Sequence, residues 1–566
     1  MKILVVVALT GFLAASCGTG PDNPQKSGNE EKVLFNGTIW TANPEHPWAE
    51  AVHIKEGVFF RVGTSAEVLE GADPNVERID LQETFVCPGF IDSHTHFLDG
   101  GFALMRVKLR DASSKEEFAA RIAEKAAALE DGNWILNGDW DHQNFNPVEL
   151  PRKEWIDAVT PENPVCVNRM DGHMVLANSL ALEMAGITGD TQSPKGGEIV
   201  RDPKTGEPTG ILKDAAMDLI SGVIPAPTLE EKVEAARRAM DHARSKGVTS
   251  VHDMAYEDNL DVYKQILAEG LPPTRVCVYI QITGIDRFEE AGAMVPENDG
   301  YLKLGGLKGF VDGSLGSSTA LFFEPYTDDP SKMGLLYSHM YPEGVMEERL
   351  MRADDMGLQV AVHAIGDKAN AIILDIYQRV IEAHPSRDRR WRIEHAQHLR
   401  PQDIPRFGKL GVIASVQPYH AYDDGRWAET KIGPLRAKTT YAFKSLQDAG
   451  SLLAFGSDWT VAPLDPIMGI YAAVTRRTAD GEFPGGWTPE EKVTVEDALL
   501  AYTRNAAYSE FAEKSKGTIT EGKLADMVVL SRNLITISPD DIPQVEIVAT
   551  ITGGRIVFGD LTDSSQ

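Results

Sequence analysis

Cysteine is scarce, with four residues in a chain of 566. Three of them, Cys87, Cys166 and Cys277, are far apart, which excludes both a disulfide framework and a thiolate metal site. Each lies in an apolar run (FVCPGF, PVCVNR, RVCVYI), the usual setting of a buried free thiol. Any metal must therefore be held by nitrogen and oxygen. Basic charge is also in short supply: 55 Lys and Arg stand against 84 Asp and Glu, a formal net charge of −29. A field of that sign repels phosphate backbones, which speaks against nucleic acid as a partner and otherwise serves solubility.

The fourth cysteine, Cys17, ends the stretch MKILVVVALTGFLAASC. Lys2 supplies a positive start, residues 3–13 an apolar run too short to span a bilayer, and Ala14, Ala15 and Ser16 the small residues before the cysteine. The stretch resembles a bacterial lipoprotein signal, cleaved before Cys17 and lipidated on its thiol. One departure is Ala14 where Leu is usual, with Leu13 one place early. Localisation at the cell envelope, lipid-anchored outside the cytoplasm, is the expectation, with ordinary secretion if Cys17 is not lipidated. Residues 18–32 are polar and rich in Gly, Pro and Asn, as a flexible tether is.

Residues 33–88 and 513–566 carry short alternating segments with turn signals such as Asn36-Gly37 and Glu56-Gly57. The pattern predicts one small β-sandwich assembled from both ends of the chain. Residues 89–512 alternate apolar or β-branched runs with amphipathic stretches, the pattern of a parallel sheet wrapped by helices. Eight candidate strands fall at 90–97, 248–254, 275–282, 307–314, 358–367, 392–397, 412–418 and 452–458. The expected fold is α/β, a (β/α)8 TIM-type barrel plus the sandwich. Extra length at about 130–230, rich in Trp, Asn, Pro and Gly, predicts an insertion or lid over one end.

Polar residues crowd the C-terminal ends of those strands. In FIDSHTHF, His94 and His96 are two apart and so share a face of a strand, although alone they could be two histidines in a turn. Lys308, His363, His395 and Asp458 follow at later strand ends. In a barrel these ends converge on one face, so residues hundreds of positions apart meet in one cup.

Nine motifs in order carry a family resemblance: PGFIDSHTHF, NRMDGHMVLANSLAL, GVTSVHD, KGFVDGSLG, VHAIGD, RIEHAQ, ASVQP, GSDWTVAPLDP and GKLADMVVL. Over essentially its whole mature length the chain resembles the amidohydrolase superfamily of metal-dependent hydrolases, and within it the branch of N-substituted formamide deformylases. The resemblance implies that His94, His96 and Asp458 hold one divalent metal, and His363 and His395 a second. Lys308 would bridge them as a carbamate, or stay an amine beside a single ion. Zinc is the expected metal, with manganese, iron or cobalt as alternatives. Asp458 would act as general base and then acid. His173 would orient the substrate carbonyl and His252 would line the pocket. Asp312 reads as a turn-former, not a ligand. Trp134, Trp140, Phe145 and Met174 are either part of an apolar pocket or packing within a lid. The branch usually has arginine where Ser318 stands, and serine cannot grip a carboxylate bidentately, so nothing points to an anionic substrate.

The implied function is cleavage of a linear amide or N-formyl carbon–nitrogen bond in a small molecule. A cyclic amidase or heterocycle deaminase on the same site is one alternative, and a non-catalytic ligand-binding lipoprotein another. Oligomeric state stays open, a homodimer being what acidic barrels of this size often form.

Overall fold

The computed structural model describes residues 31–169, 174–194, 197–256, 258–288 and 300–561. At its centre lies an eight-stranded parallel sheet. Its strands, called one to eight below, are Phe90–Thr95, Val248–Ala255, Arg275–Gln281, Leu302–Phe310, Val360–Ala364, Arg392–His395, Ile413–Val416 and Leu453–Phe455. Each pairs in parallel with its neighbours in chain order. The ring closes just beyond strand eight, where the Asp458 N–H donates to the His94 carbonyl and the His96 N–H to the Trp459 carbonyl, both at 2.7 Å. The expected barrel is thus borne out, on all eight stretches.

Strand four begins five residues before the expected start, because Leu302–Leu304 pair with Val276–Val278. Gly305 and Gly306 interrupt the apolar pattern there and hide that pairing. A Cβ on Gly306 would stand 2.5 Å from the Gln359 carbonyl oxygen, so close neighbouring backbone explains the glycine.

Parallel neighbours need crossovers, and amphipathic helices supply them. Helix Leu229–Ser245, which precedes strand two, buries Val233, Ala236, Ala239, Met240 and Ala243. A reciprocal capping box between Thr228 and Glu231 starts it by satisfying two otherwise unpaired backbone N–H groups. Helix Asp367–Ala383 follows strand five and buries Ile373, Leu374, Ile376, Tyr377 and Val380.

Two further sheets flank the barrel. One has the strand order Val58–Gly63, Ala51–Lys55, Lys32–Phe35, Glu77–Asp80. The other joins Phe85–Pro88, Thr38–Trp40 and Trp48–Ala49 to Met527–Leu530, Ile547–Thr552 and Arg555–Gly559, so both ends of the chain share a sheet. Leu34, Ile54 and Phe59 of the first sheet pack with Val86, Val529 and Ile551 of the second in one core. Lys32 already lies in a strand, so the polar tether read at 18–32 ends before it. The expected signal and Cys17 lie outside the described residues.

Between strands one and two is a five-stranded sheet formed by Gly197–Arg201, Pro208–Asp214, Met174–Ala177, Val165–Asn168 and Ile135–Leu136. Its core includes Val107, Leu109, Phe118 and Ile122, so helix Lys115–Ala127 belongs to this insertion, which starts earlier than residue 130. Cys87, Cys166 and Cys277 are free and buried. No helix among the described residues is long and apolar enough to cross a membrane.

Candidate metal centre

His94 projects from strand one and is fully buried. Its Nδ1 lies 2.5 Å from Glu394 Oε2. Its Nε2 is left facing the barrel mouth, 3.2 Å from Lys308 Nζ and 3.4 Å from Asp458 Oδ1. His395, at the end of strand six, repeats the arrangement with Nδ1 2.8 Å from Gln417 Oε1. Among the described residues, one donor atom each from His94, His395 and Asp458 lie within 4.8 Å of one another. His96 flanks them with Nε2 3.4 Å from Asp458 Oδ1, and the His363 ring centre is 4.5 Å from that of His395. His363 Nε2 is engaged at 3.0 Å by the Gly313 carbonyl. The cluster therefore draws on both of the expected ligand sets.

Backbone strain helps to bring these groups inward. His395 (φ 72°), Ala396 (φ 41°) and Asp458 (φ 59°) occupy the left-handed region, which costs a non-glycine residue about 1–3 kcal/mol. Those turns swing side chains from strand ends into the mouth. Gly456 lets strand eight approach, since a Cβ there would lie 2.6 Å from the His94 nitrogen. Asp92 ties the same seam: its Oδ1 accepts from the N–H of His94 at 3.1 Å and of Ser457 at 2.9 Å.

Burial controls the charge states. Burial and the Lys308 cation lower His94 to about 4 and His363 to about 3. Burial and the neighbouring His363 hold His395 well below the usual histidine range. His94, His363 and His395 are thus neutral, the form that ligates metals, whereas at His96 burial is outweighed by the hydrogen bond and charge of Asp458, which raise it. Burial lowers Lys308 to about 8, so its amine is readily deprotonated. Burial alone would raise Asp458, but His94, His96 and His395 around it hold the carboxylate ionised. Nitrogen and oxygen donors, with the outer nitrogens of two histidines pinned by Glu394 and Gln417, fit a divalent cation.

Above the cluster is a cavity of about 410 Å³, lined by His96, Lys308, His363, His395 and Asp458 together with Phe310, Leu315, Ile365, Tyr419 and Trp427. His420 also lines it, and sequence reasoning missed this residue. It follows strand seven, its ring lies parallel to that of His395 with centres 6.2 Å apart, and its Nε2 is 3.9 Å from Asp458 Oδ2. That nitrogen is buried without a protein hydrogen-bond partner. The available signal was position, two residues past the end of the motif ASVQP.

The other expected site residues are placed differently. His252 does not line the cavity. It faces the barrel interior, fully buried, with Nδ1 accepting from Arg392 at 2.8 Å, because strand two turns that face inward below the mouth. His173 lies outside the described residues. Asp312 is the turn-former expected of it, accepting from the N–H groups of Leu321, Ile365 and Gly366. Trp140 and Phe145 are packed in the insertion core with Phe118 and Trp155, which settles their role as packing. Ser318 accepts from Lys431 Nζ at 2.7 Å.

The family model described as "Amidohydrolase family" matches residues 77–558. The chain is 41% identical over 542 residues to "Protein LONG AFTER FAR-RED 3" of Arabidopsis thaliana, covering 93% of this chain and 91% of that protein. It is 27% identical over 546 residues to an N-substituted formamide deformylase of Arthrobacter pascens, covering 93% and 98%. The crystal structure of an uncharacterized metal-dependent hydrolase from Pyrococcus furiosus is similar with a TM-score of 0.75 and 31% identity, covering 89% of this chain and 100% of that one.

Proposed function

The chain belongs to the amidohydrolase family, and from that premise we propose that it cleaves a linear amide or N-formyl bond of a small molecule in the cup. Hydrolysis of a carbon–nitrogen bond is the coarser statement that family membership supports. The gathering of His94, His395 and Asp458 donors within 4.8 Å, beneath an open cavity, supports metal-assisted hydrolysis there. Kinship to a formamide deformylase favours the linear bond.

His94, His395 and Asp458, joined by His96, His363 and Lys308, would hold one or two divalent ions, with zinc the best match to this donor set. A cation there supplies Lewis-acid activation of water and of the scissile carbonyl. The chain's own groups do the rest. Asp458, ionised and at the cavity wall, accepts the proton of the attacking water and returns it to the leaving nitrogen, which departs as a neutral amine. His420, a cavity-lining residue whose Nε2 has no hydrogen-bond partner among the described residues, donates from that nitrogen to the carbonyl oxygen as negative charge develops there. Lys308, with its lowered pKa, adds its neutral amine to carbon dioxide and loses a proton, which turns a non-ligand ammonium into a carbamate with two donor oxygens. Lys308 is the one Lys or Arg among the described residues lining the cavity, beside Asp423, Asp424 and Asp458, which speaks against an anionic substrate. Residues 1–17 support export and a lipid anchor on Cys17.

The test is metal content of the purified protein combined with a panel of linear amides, N-formyl amines, cyclic amides and aminated heterocycles. Bound metal and release of a carboxylate plus an amine are expected. Ring opening or ammonia release alone would overturn the linear-amide reading.

A further inference from the structure

The interiors of such barrels are normally filled by layers of branched apolar side chains. Here the layer beneath the cluster is ionic. Arg392 on strand six is fully buried and donates to both carboxylate oxygens of Glu394, at 2.8 and 3.0 Å. The same guanidinium reaches His252 Nδ1 on strand two at 2.8 Å, Ser415 Oγ on strand seven at 2.8 Å and the Ser93 carbonyl on strand one at 2.5 Å. Glu394 in turn meets His94 Nδ1 at 2.5 Å. On the far side, His252 Nε2 lies 3.3 Å from Glu510 Oε1, and Glu510 pairs with Lys516 at 2.7 Å. Lys516 also donates to Ser250 Oγ at 2.6 Å. None of these groups lines the cavity.

Stability does not account for this arrangement. Each buried ion loses several kcal/mol of hydration, and well-packed apolar side chains of similar volume generally do as well or better. What the ions achieve is orientation. An imidazole offers its Nε2 lone pair outward only when Nδ1 carries the proton and the ring is held in plane. Glu394 accepts the Nδ1 proton of His94, and a glutamate with three free torsions is itself held only if both its oxygens are bound. Arg392 binds both, and is anchored to strands one, two, three and seven through Ser93, His252, Tyr279 and Ser415.

We propose that Glu394 and Arg392, braced by His252, Glu510 and Lys516, form a strut that fixes the tautomer and plane of His94 for metal binding. The inference rests on His94 being a ligand. Glu394 is then a positioning residue that never touches substrate.

Zinc affinity of the metal-stripped full chain, measured by chelator competition, tests this. Circular dichroism and urea midpoints of the same samples read folding separately. Glu394→Gln is expected to bind zinc about 10–100-fold more weakly while staying folded. His252→Leu should show a smaller loss, which His252→Gln recovers because an amide keeps an acceptor toward Arg392. If Glu394→Gln does not fold, the two His252 variants decide. Folded variants that bind zinc as tightly as the parent would overturn the strut. A parent chain that binds no zinc, manganese or cobalt would instead refute the ligand reading, and the strut with it.

Discussion

Asp458 and His420 face each other across the cavity wall at 3.9 Å, and the two residues should fail in different ways when replaced. Asp458→Asn keeps an oxygen donor but cannot take a proton. Metal content should stay near the parent's while kcat falls about 10²–10⁴-fold, a comparison that metal analysis and steady-state kinetics make directly. His420→Ala removes a donor to the developing oxyanion, so kcat should fall about 10²–10³-fold with little change in KM or metal content. An unchanged kcat would remove His420 from the mechanism. A second histidine bears on stability instead. His398 is buried against Thr440 Oγ1 at 2.8 Å, and burial lowers it from 6.5 to about 3. Its folded pKa lies below its unfolded one, so the unfolded chain takes up the proton first and stability is lost as pH falls below 6.5. At pH 5 this site alone costs roughly 2 kcal/mol relative to pH 8. His398→Gln should shrink the pH 8-to-5 drop in urea-derived stability by that amount, and a variant that tracks the parent would count against it.

At the scale of elements, the seam between strands eight and one matters most, because it joins Asp458 to His94. Asp92 bonds two backbone N–H groups across it, and Gly456 leaves room for the crossing. A methyl at Gly456 would press on the His94 nitrogen from 2.6 Å. Gly456→Ala is expected to cost about 1–3 kcal/mol by overpacking and to lower metal occupancy, because the seam must widen. Thermal unfolding and metal analysis on one preparation check both effects. Elements were also where sequence patterning worked best. Runs such as VTSVHDM and RVCVYIQI read as buried parallel strands because both of their faces are covered. Patterning failed at strand four, where glycines needed for close backbone approach interrupt the apolar run, and at the turns after strands six and eight, where the left-handed residues His395, Ala396 and Asp458 are not the glycines that usually signal such turns.

For the molecule as a whole, one buried ion pair fastens barrel to sandwich. Arg275, first residue of strand three, grips Asp526 through Nε at 2.7 Å and Nη2 at 3.1 Å, and Asp526 also accepts from the Gly553 N–H at 2.7 Å. Both side chains are almost wholly shielded from water. Asp526→Ala leaves Arg275 without that carboxylate in the joint, so unfolding free energy should drop by about 3–5 kcal/mol in urea titrations. A loss below about 1 kcal/mol would mean that apolar packing carries the joint.

The sequence by itself determined the barrel, the sandwich shared by both chain ends, and the strand-end positions of His94, His96, Lys308, His363, His395 and Asp458. It could do so because periodicity and strand-end placement are local properties of the chain, and the family motifs repeat them in order. Depth inside the barrel and partnership across it belonged to the tertiary structure alone. His252 and Lys308 both sit near the ends of strands two and four, yet the first lies sealed below the cluster and the second opens onto the cavity. The stagger of neighbouring strands sets that depth, and no single strand's residues encode it. For the same reason Glu394 and Arg392 became supports of His94, and His420 part of the cavity wall, only once strands distant in sequence had closed into a ring.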